Sequence, residues 1–408
     1  MSTASLTQGW SLNQGSPSTQ GLCLINASLP GGHLGSLRMM GSRIDALNVH
    51  PRSEDLIIDL EGDRVLPGLI NAHDHLHLNS LPCLGHGKRY GHVRQWIADI
   101  NTRRERDTEF EARVGVSRRT RLLVGSIKNL LSGVTTVAHH DPLYPDLLTP
   151  DFPVDVVAHY GWSHSLYIDG PEAVQNAYRA TPNDRPWIIH AAEGVDAEAV
   201  LEFDRLEALG CIGENTLLVH GVALDLARLR RLEAAGAGLL WCPASNLRLF
   251  GRTAEIRHLL RCGRVALGTD SRLSGSRDLL EELRLASDIA GLDESSLESL
   301  VTSNSARLLC LPDRGSIRAG YRADILVLPR EVALSRATRA SVRLVIRGGA
   351  VCLADPPYAD ALRSLAGWVD VDVDGSVKRL DAHIARLLHD AGADENGLTI
   401  AHSSSQAA

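Results

Sequence analysis

The sequence lacks the features that mark several large classes of protein. Its 7 cysteines are scattered and never form a C-x-x-C pair, which argues against a disulfide framework or a zinc knuckle. No stretch approaches the roughly 18 uninterrupted apolar residues that a membrane-spanning helix requires. The first 20 residues are polar and lack the apolar block of a secretory signal peptide. These absences predict a cytoplasmic protein with reduced thiols.

Concentrated positive charge is missing as well. The net charge of the 408-residue chain is −7, and it is spread along the sequence without a long basic run. Nucleic acids and anionic membranes bind surfaces on which Lys and Arg are concentrated, so we expect neither as a partner. The 44% of hydrophobic residues is enough for one large domain, or for a large domain and a small one.

Histidines stand in a row at the end of one apolar stretch. Residues 65–72 read Val-Leu-Pro-Gly-Leu-Ile-Asn-Ala, and His73, His75 and His77 follow at alternate positions. An apolar run bounded by Pro and Gly is typical of a buried strand. Because alternate residues of a strand point to one face, neighbouring imidazoles of this row should lie about 7 Å apart along the backbone. Two of them could share one metal ion, while the alternative is a histidine-rich turn without function.

Further along the chain, strand-like apolar segments alternate with helix-like segments. This alternation predicts a parallel sheet. Several of the strands end in polar residues, namely His190 (followed by Glu193), His220 and Asp270. Polar residues at the C-terminal ends of successive parallel strands form the catalytic face of a (β/α)8 barrel. We therefore predict an α/β protein with a TIM-like barrel.

The barrel pattern is weakest around its third and fourth strands. Seven strands are clear, and residues 161–168 are the best candidate for the eighth. Little room for a helix precedes that segment, so we expect one strand–helix unit to be reduced or missing. Short strand-like segments near both ends of the chain could pair with each other. The predicted domains are a flexible arm (1–20), a composite β-sandwich (21–66 and 316–365), the barrel (67–315), and a C-terminal helix with a disordered tail (366–408).

The polar strand ends together offer three imidazoles and a carboxylate. Such a set suits Zn2+ or Fe2+ and leaves a position open for water, whose pKa a bound metal lowers to about 7. Glu193 follows His190 closely enough to carry protons. Taken singly, a strand-end histidine is more often a satisfied polar group than a ligand, and Asp270 could cap the next helix. Their combination on four strand ends favours a metal site.

A set of short motifs extends this interpretation. They are Pro-Gly-Leu-Ile-Asn-Ala-His-Asp-His (67–75), Gly-Val-Thr-Thr-Val (133–137), His-Ala-Ala-Glu (190–193), Val-His-Gly (219–221), Cys-Pro-Ala-Ser-Asn-Leu (242–247), Ala-Leu-Gly-Thr-Asp-Ser (266–271), Asn-Ser-Ala-Arg (304–307), Gly-Ser-Ile (315–317), Gly-Tyr-Arg-Ala-Asp (320–324) and Val-Ile-Arg-Gly-Gly (345–349). Together, over residues 21–355, they resemble the amidohydrolase superfamily. The resemblance is to the branch that holds cytosine and guanine deaminases, adenosylhomocysteine-type deaminases and triazine hydrolases.

The resemblance implies a site with one catalytic divalent metal ion, Zn2+ in the first place and Fe2+ in the second. The implied ligands are His73, His75, His190 and Asp270. Glu193 would shuttle protons, and His220 would hydrogen-bond the attacking water or the polarised atom of the substrate. Asp270 would also accept a proton from the water.

Lysine placement bears on the number of metal ions. Relatives with two metals bridge them through a carbamylated lysine at the end of the fourth strand. This chain has only Lys88, Lys128 and Lys378, and none of them lies between residues 154 and 190. We therefore predict a mononuclear site, with a carboxylate bridge left open as the alternative.

Polar side chains near the predicted mouth of the barrel are candidates for substrate contacts. The candidates are His77, His140, His164, Trp96 and Asn246, together with His86 and Arg89. A structural role is an equal alternative for each of them. His77 is the leading candidate because it shares a strand face with His73 and His75.

The predicted function is metal-dependent hydrolysis. A metal-bound hydroxide would attack an sp2 carbon of a small nitrogen-containing substrate, in the first place an N-heterocycle. Hydrolytic deamination is the first choice, and hydrolysis of a cyclic amide or imidazolone ring is the alternative. A non-catalytic scaffold is an alternative of another class, disfavoured because the implied ligands, Glu193 and His220 are all present. A homodimer, common in the superfamily, is left open.

Overall fold

The computed structural model describes residues 20–83, 87–362 and 367–401. The predicted N-terminal arm apart from Gln20, the candidate residue His86, and residues 402–408 of the predicted tail lie outside the described residues.

Short strands open the described chain. They are β1 (Leu22–Ser28), β2 (Leu34–Met40), β3 (Arg43–Leu47), β4 (Leu56–Asp59) and β5 (Arg64–Pro67). The turn between β1 and β2 passes through Gly31 and Gly32, whose φ angles of 92° and 80° favour glycine. The chain can therefore reverse there and pair β1 with β2 in antiparallel fashion.

Strands and helices then alternate, as predicted. In chain order they are β6 (Leu69–Asp74), α1 (Val93–Arg106), α2 (Thr108–Gly115), α3 (Arg118–Leu131), β7 (Val134–His139), β8 (Asp155–Val156), β9 (Gly161–Ser165), α4 (Leu166–Asp169), α5 (Pro171–Ala180), β10 (Trp187–Ala191), α6 (Ala197–Ala208), β11 (Thr216–His220), α7 (Leu226–Ala234), β12 (Gly238–Trp241), α8 (Pro243–Phe250), α9 (Arg257–Arg261), β13 (Val265–Leu267), α10 (Leu279–Ala290), α11 (Glu294–Leu300) and α12 (Ser303–Leu308).

The strands from β6 to β13 lie in two parallel sheets. One sheet has the order β6-β7-β8 and the other β13-β12-β11-β10-β9. A parallel bridge between Asp74 and Asp270 links the end of β6 to the segment after β13. Because the paired strands run parallel, their carboxyl ends lie at the same edge of each sheet, and the polar residues that end them are brought to that edge. The α/β class is confirmed.

The expected eighth strand is present as β9. Its neighbour β8 has only 2 residues, and residues 157–160, all of them described, connect the two without a helix. This agrees with the irregularity expected between the second strand and His190.

Strands from both ends of the chain share one sheet. The C-terminal elements are β14 (Ile325–Leu328), β15 (Leu344–Arg347), β16 (Ala350–Ala354), α13 (Pro356–Asp360), β17 (Trp368–Val373), β18 (Ser376–Asp381), α14 (Ala382–Asp390) and β19 (Leu398–Ile400). β14 pairs with β5 in antiparallel fashion, with Ile325 opposite Pro67. Among the described residues this sheet has 11 strands, and its folding into a two-layer sandwich stays a prediction.

The segment after residue 366 differs from the prediction of a helix and a disordered tail. The helix is present as α14, but β17 and β18 form a hairpin that extends the shared sheet, and β19 pairs with β17. β17 reads Trp-Val-Asp-Val-Asp-Val, in which Val371 and Val373 are buried. The alternation of period two is that of a strand with one buried face, and the acidic composition obscured it.

Large apolar side chains hold the parallel strands against the surrounding helices. Trp187 of β10 and Trp241 of β12 are at most 1% exposed and belong to one core cluster with Phe203 of α6 and Leu283 of α10. Truncating a buried side chain of this size typically costs about 3–5 kcal/mol, so the strand ends rest on a rigid base. Among the described residues, no helix is long and apolar enough to cross a membrane.

Candidate active site

Four histidine rings converge at the carboxyl end of the parallel strands. His73 lies in β6 and His75 follows it, His140 follows β7, and His190 lies in β10. A ring nitrogen of each lies within 4.8 Å of those of the others, and all four residues are buried. The structure thus brings together three of the implied metal ligands and adds His140, a residue predicted as a substrate contact.

Hydrogen bonds on the outer side of the rings decide which nitrogen faces the centre. Nδ1 of His190 lies 2.8 Å from the carbonyl oxygen of His164, and Nε2 of His140 lies 3.0 Å from that of Ser163. A carbonyl can only accept, so these two nitrogens carry protons and donate them. The remaining nitrogen of each neutral ring offers a lone pair to the centre.

Asp141 orients His75 in the same way. Nδ1 of His75 lies 2.6 Å from Oδ2 of Asp141, while its Nε2 lies 3.3 Å from Nε2 of His190 and 3.6 Å from Oδ1 of Asp270. Burial opposes protonation of His75, yet Asp141 and Asp270 outweigh it and raise the pKa of His75 to about 9. A metal ion bound at Nε2 would therefore displace a proton from this nitrogen. Sequence reasoning missed Asp141, although its position directly after the histidines that end β7 was the available signal.

A divalent cation fits this centre on chemical grounds. Burial lowers the pKa values of His73, His140 and His190 well below the usual range, so these rings are neutral donors. Among the described residues, neither ring nitrogen of His73 has a hydrogen-bond partner. A buried unpaired group of this kind costs about 1–3 kcal/mol, and one ion shared by the rings would satisfy it.

Asp141 should control metal affinity through His75. We expect Asp141→Asn to weaken Zn2+ binding about 10- to 100-fold, because a neutral amide polarises the imidazole less than a carboxylate does. Competition with a chelator of known affinity measures the effect. Asp146→Asn is the matched control, since Asp146 pairs with Arg119 outside the centre. Equal Zn2+ affinities of D141N and the wild type would contradict the assignment.

Glu193 and His220 lie side by side next to the histidine centre. Oε1 of Glu193 is 3.5 Å from Nε2 of His220, whose Nδ1 lies 2.8 Å from Oδ1 of Asn246. Burial, together with the charges of Asp270 and Glu202, raises the pKa of Glu193 well above its usual range. Asn246 therefore holds His220 in place through its Nδ1, and Glu193 keeps its proton to a higher pH than an ordinary glutamic acid does.

The backbone is strained at three of the strand ends. Ala192, His220 and Asp270 have φ angles of 53°, 71° and 55°, in the left-handed region that non-glycine residues rarely occupy. Each such residue costs about 1–3 kcal/mol, and such strain is concentrated at functional sites. Asp270 is further held by the hydroxyl of Ser274, which donates to Oδ2 at 2.8 Å.

A cavity of about 660 Å³ opens onto this centre. Its lining includes His75, His190, Glu193, His220 and Asp270. Of the predicted substrate contacts, His77, His164 and Trp96 also line it, while His140 and Asn246 are not among its described lining residues. Arg89 instead donates a hydrogen bond to the carbonyl of Arg248 on α8. The roles assigned to these residues stay predictions.

A second group, made of His77, His139 and Asp141, lies beside the first. Nδ1 of His139 accepts a hydrogen bond from the backbone N–H of Leu76 at 3.2 Å, so the neutral ring carries its proton on Nε2 and offers no second lone pair. Oδ2 of Asp141 is already bonded to His75. This group is therefore poorly suited to a second metal ion, in agreement with the predicted mononuclear site.

A buried lysine supports the base of the site. Nζ of Lys128, on α3, donates to Oδ2 of Asp74 at 3.1 Å, to Oδ1 of Asn79 at 2.8 Å and to Oγ1 of Thr269 at 3.1 Å. Lys128 and Asp74 are fully buried. Asp74 lies between His73 and His75, and Thr269 precedes Asp270, so this network fixes both sides of the centre. No pattern in the sequence indicated it.

Glu282 of α10 is a second buried carboxyl group with a shifted pKa. Its Oε1 accepts a hydrogen bond from the backbone N–H of Ala244 at 2.8 Å. Burial raises the pKa of Glu282 from 4.5 to about 7, against the lowering effect of this hydrogen bond. In the unfolded chain the group would ionise near 4.5, so the folded state loses stability as the pH rises from about 4.5 through about 7.

Glu282→Gln should remove this pH dependence. The amide keeps the acceptor for Ala244 and cannot ionise, so we expect the variant to be more stable than the wild type at pH 8, by up to about 3 kcal/mol, with a smaller difference at pH 5. Urea unfolding at the two pH values measures the free energies. Glu281→Gln, at an exposed neighbouring position, is the control. A gain that is independent of pH would contradict the explanation.

Comparisons with known proteins agree with the motifs. The model of the amidohydrolase family matches residues 164–363. The chain is 26% identical over 327 residues to a 5-methylthioadenosine/S-adenosylhomocysteine deaminase of Pyrococcus furiosus. The aligned region covers 67% of this chain and 77% of that protein. It is 28% identical over 220 residues to an 8-oxoguanine deaminase of Pseudomonas aeruginosa. This second alignment covers 50% of this chain and 47% of that protein.

A solved structure shows the same fold. The atrazine chlorohydrolase TrzN of Arthrobacter aurescens TC1, in complex with zinc, superposes with a TM-score of 0.67 at 19% identity and covers 84% of this chain and 99% of that chain. The matched family, the zinc in this neighbour and the histidine centre described above all point to a metal-dependent enzyme. The match over residues 164–363 shows an amidohydrolase family domain in this chain.

Proposed function

We propose that the protein hydrolytically deaminates a small N-heterocycle with the help of one divalent metal ion. The observation that carries the proposal is the position of Glu193. It is a buried carboxyl group with a raised pKa, it lies beside His220, and it lines the same cavity as the histidine centre and Asp270. A carboxyl group with a raised pKa next to a cation site suits the protonation of a ring nitrogen or a leaving amine.

The metal ion would be held by His73, His75, His190 and Asp270, with His140 as a further nitrogen donor. When bound, the ion supplies a Lewis acid that makes a water molecule nucleophilic at neutral pH. Oδ2 of Asp270 is bonded to Ser274, and its Oδ1 faces His75. A carboxylate in this place can orient a water molecule and accept its proton.

The neighbouring groups then divide the work of proton transfer. His220 presents the lone pair on Nε2 toward Glu193, because its Nδ1–H is bonded to Asn246. This arrangement keeps the Glu193 carboxyl in a fixed position with its proton available. The substrate carbon would have to lie within reach of both Glu193 and Asp270, in the part of the cavity that they share.

Deamination is preferred over ring opening because both curated relatives described above are named as deaminases. The same residues would support hydrolysis of a cyclic amide or imidazolone ring, which remains the alternative. A screen of the Zn2+-loaded protein against purines, pyrimidines, pterins, triazines and cyclic ureides separates the two. Ammonia release supports deamination, ring opening without ammonia supports the alternative, and turnover of neither class contradicts both.

We also propose that β6 to β13 close into one irregular barrel within residues 67–315. The support is the bridge between Asp74 and Asp270, which links the end of β6 to the segment after β13, and the likeness to the zinc-bound neighbour. The gap in the pairing lies between β8 and β9, where the helix is missing. The cytoplasmic location and a homodimer stay predictions.

A further inference from the structure

The active-site cavity has a second chemical character away from the histidine centre. Apolar side chains form much of its wall, among them Ile97, Ile100 and Phe110 from α1 and α2. Three arginines line it as well: Arg104, Arg118 and Arg121. The histidines and carboxyl groups of the centre are buried, whereas Arg104 and Arg118 are exposed and Arg121 is half-buried, so Arg104 and Arg118 lie at the solvent side of the cavity.

The positive charge of these arginines is only partly balanced. Arg104 pairs with Glu111, with Nε 2.8 Å from Oε2. Within the described ranges, neither Arg118 nor Arg121 forms an ion pair with a carboxylate. Arg121 donates instead to the carbonyl oxygens of Val116 at 3.1 Å and His77 at 3.2 Å, which orient the guanidinium without neutralising it.

Arg118 and Arg121 both contact other residues around the cavity. The Arg118 guanidinium lies over the ring of Tyr144, 4.0 Å from its centroid, and Tyr144 also lines the cavity. Burial lowers the pKa of Arg121; Tyr144 opposes this effect, and the charges of Arg118 and Arg104 add to it. The net charge of the chain is −7, so these neighbouring arginines are a local concentration of positive charge. Because like charges repel one another, an anion that binds between them is stabilised.

We propose that Arg118 and Arg121 bind an anionic group, a carboxylate or a phosphate, at the far end of the substrate whose heterocycle reacts at Glu193. The inference rests on the proposed function, because it places one end of the substrate at the histidine centre. The apolar wall formed by Ile97, Ile100 and Phe110 would contact an uncharged segment between the two ends. The geometry of a guanidinium suits two-point contact with either anion.

Direct binding of simple probes tests this site without any turnover. The probes are 4-phenylbutyrate and 4-phenylbutyl phosphate, with 4-phenylbutanol as the neutral counterpart, titrated calorimetrically into the Zn2+-loaded protein. We expect the anions to bind about 10- to 100-fold more tightly than the alcohol, as charge-assisted hydrogen bonds predict. The tighter of the two anions identifies the preferred group.

Variants on α3 assign the preference to particular arginines. We expect Arg118→Gln and Arg121→Gln each to remove most of the preference for the anion, while Arg121→Lys retains part of it because the charge remains. Arg119→Gln is the matched control, since Arg119 is exposed, pairs with Asp146 and does not line the cavity. It should bind the anions like the wild type. Thermal unfolding checks that each variant is folded, and R121K keeps the test decisive if R121Q is not.

Several outcomes would overturn the proposal. One is equal affinity for anion and alcohol, and another is wild-type anion binding in both glutamine variants. Binding that persists in those variants and disappears when Zn2+ is removed would place the anion on the metal instead. A screen that finds no ammonia release while anion binding depends on Arg118 and Arg121 would refute the deamination alone. Ammonia release without such binding would refute the anion site alone.

Discussion

Replacing Glu193 by Gln should lower kcat by about 100- to 10,000-fold on any heterocycle that the Zn2+-loaded protein deaminates, which is the range that positioned acid–base groups contribute. The amide keeps the size of the side chain and can still approach His220, but it cannot give up a proton to the substrate. Steady-state ammonia release measures kcat, and Zn2+ content should remain that of the wild type. Glu198→Gln is the matched control, because Glu198 is paired with Arg205 on the outer surface of α6.

The pH profile gives this prediction a second readout. Burial raises the pKa of Glu193, so its proton is lost at a higher pH than that of an ordinary glutamic acid. The wild-type rate should therefore fall on the alkaline side, and the residual activity of E193Q should lack that fall. If E193Q kept the wild-type kcat and the same alkaline fall, another group would have to carry the proton.

Replacing Lys128 by Met should destabilise the fold by about 3–5 kcal/mol, the range measured when one partner of a buried ion pair is removed. Methionine has a similar length, so the main effect is that the buried Asp74 carboxylate loses its cationic partner. Asp74 would retain hydrogen bonds from Asn79 and Asn129, at 2.7 Å and 2.8 Å, which limit the loss. Urea unfolding monitored by circular dichroism gives the free energy.

A double substitution separates the charge from the packing. Asp74→Asn combined with Lys128→Met removes both buried charges, and we expect it to be more stable than Lys128→Met alone, with a coupling energy of about 1–3 kcal/mol. Lys88→Met is the control, because Lys88 is exposed and pairs with Asp99 at the surface. Strict additivity of the two buried substitutions would show that the ion pair does not stabilise the site.

Local patterns were sufficient to find the residues that end the strands. His73, His75 and His190 were readable because an apolar strand followed by a histidine is a feature of a few neighbouring residues, and the structure brings them together. Glu193 and Asp270 were readable for the same reason. The roles of His140 and Asn246 were harder to predict, because each depends on a partner from another strand or helix.

The groups that support the centre depend on contacts across long sequence distances. Asp141 reaches back 66 residues to His75, and Lys128 reaches Thr269 across 141 residues. Such contacts follow from packing and from the order of strands in the sheets, and neither leaves a periodic trace in the sequence. The hairpin of β17 and β18 was missed for a different reason, since its acidic residues resembled a solvated tail.

The sequence by itself determined the α/β class, the family motifs and the metal-binding character of the site, because each of these depends on the types of residues that lie close together in the chain. Only the tertiary structure decided which side chains share a cavity. Arg118, Arg119 and Arg121 cannot be distinguished by the sequence, because they are the same residue type in one short basic stretch. In the structure Arg118 and Arg121 line the active-site cavity, and Arg119 pairs with Asp146 at the surface. The rotation of α3 against the parallel strands makes this distinction, and that rotation is set by the packing of its buried face.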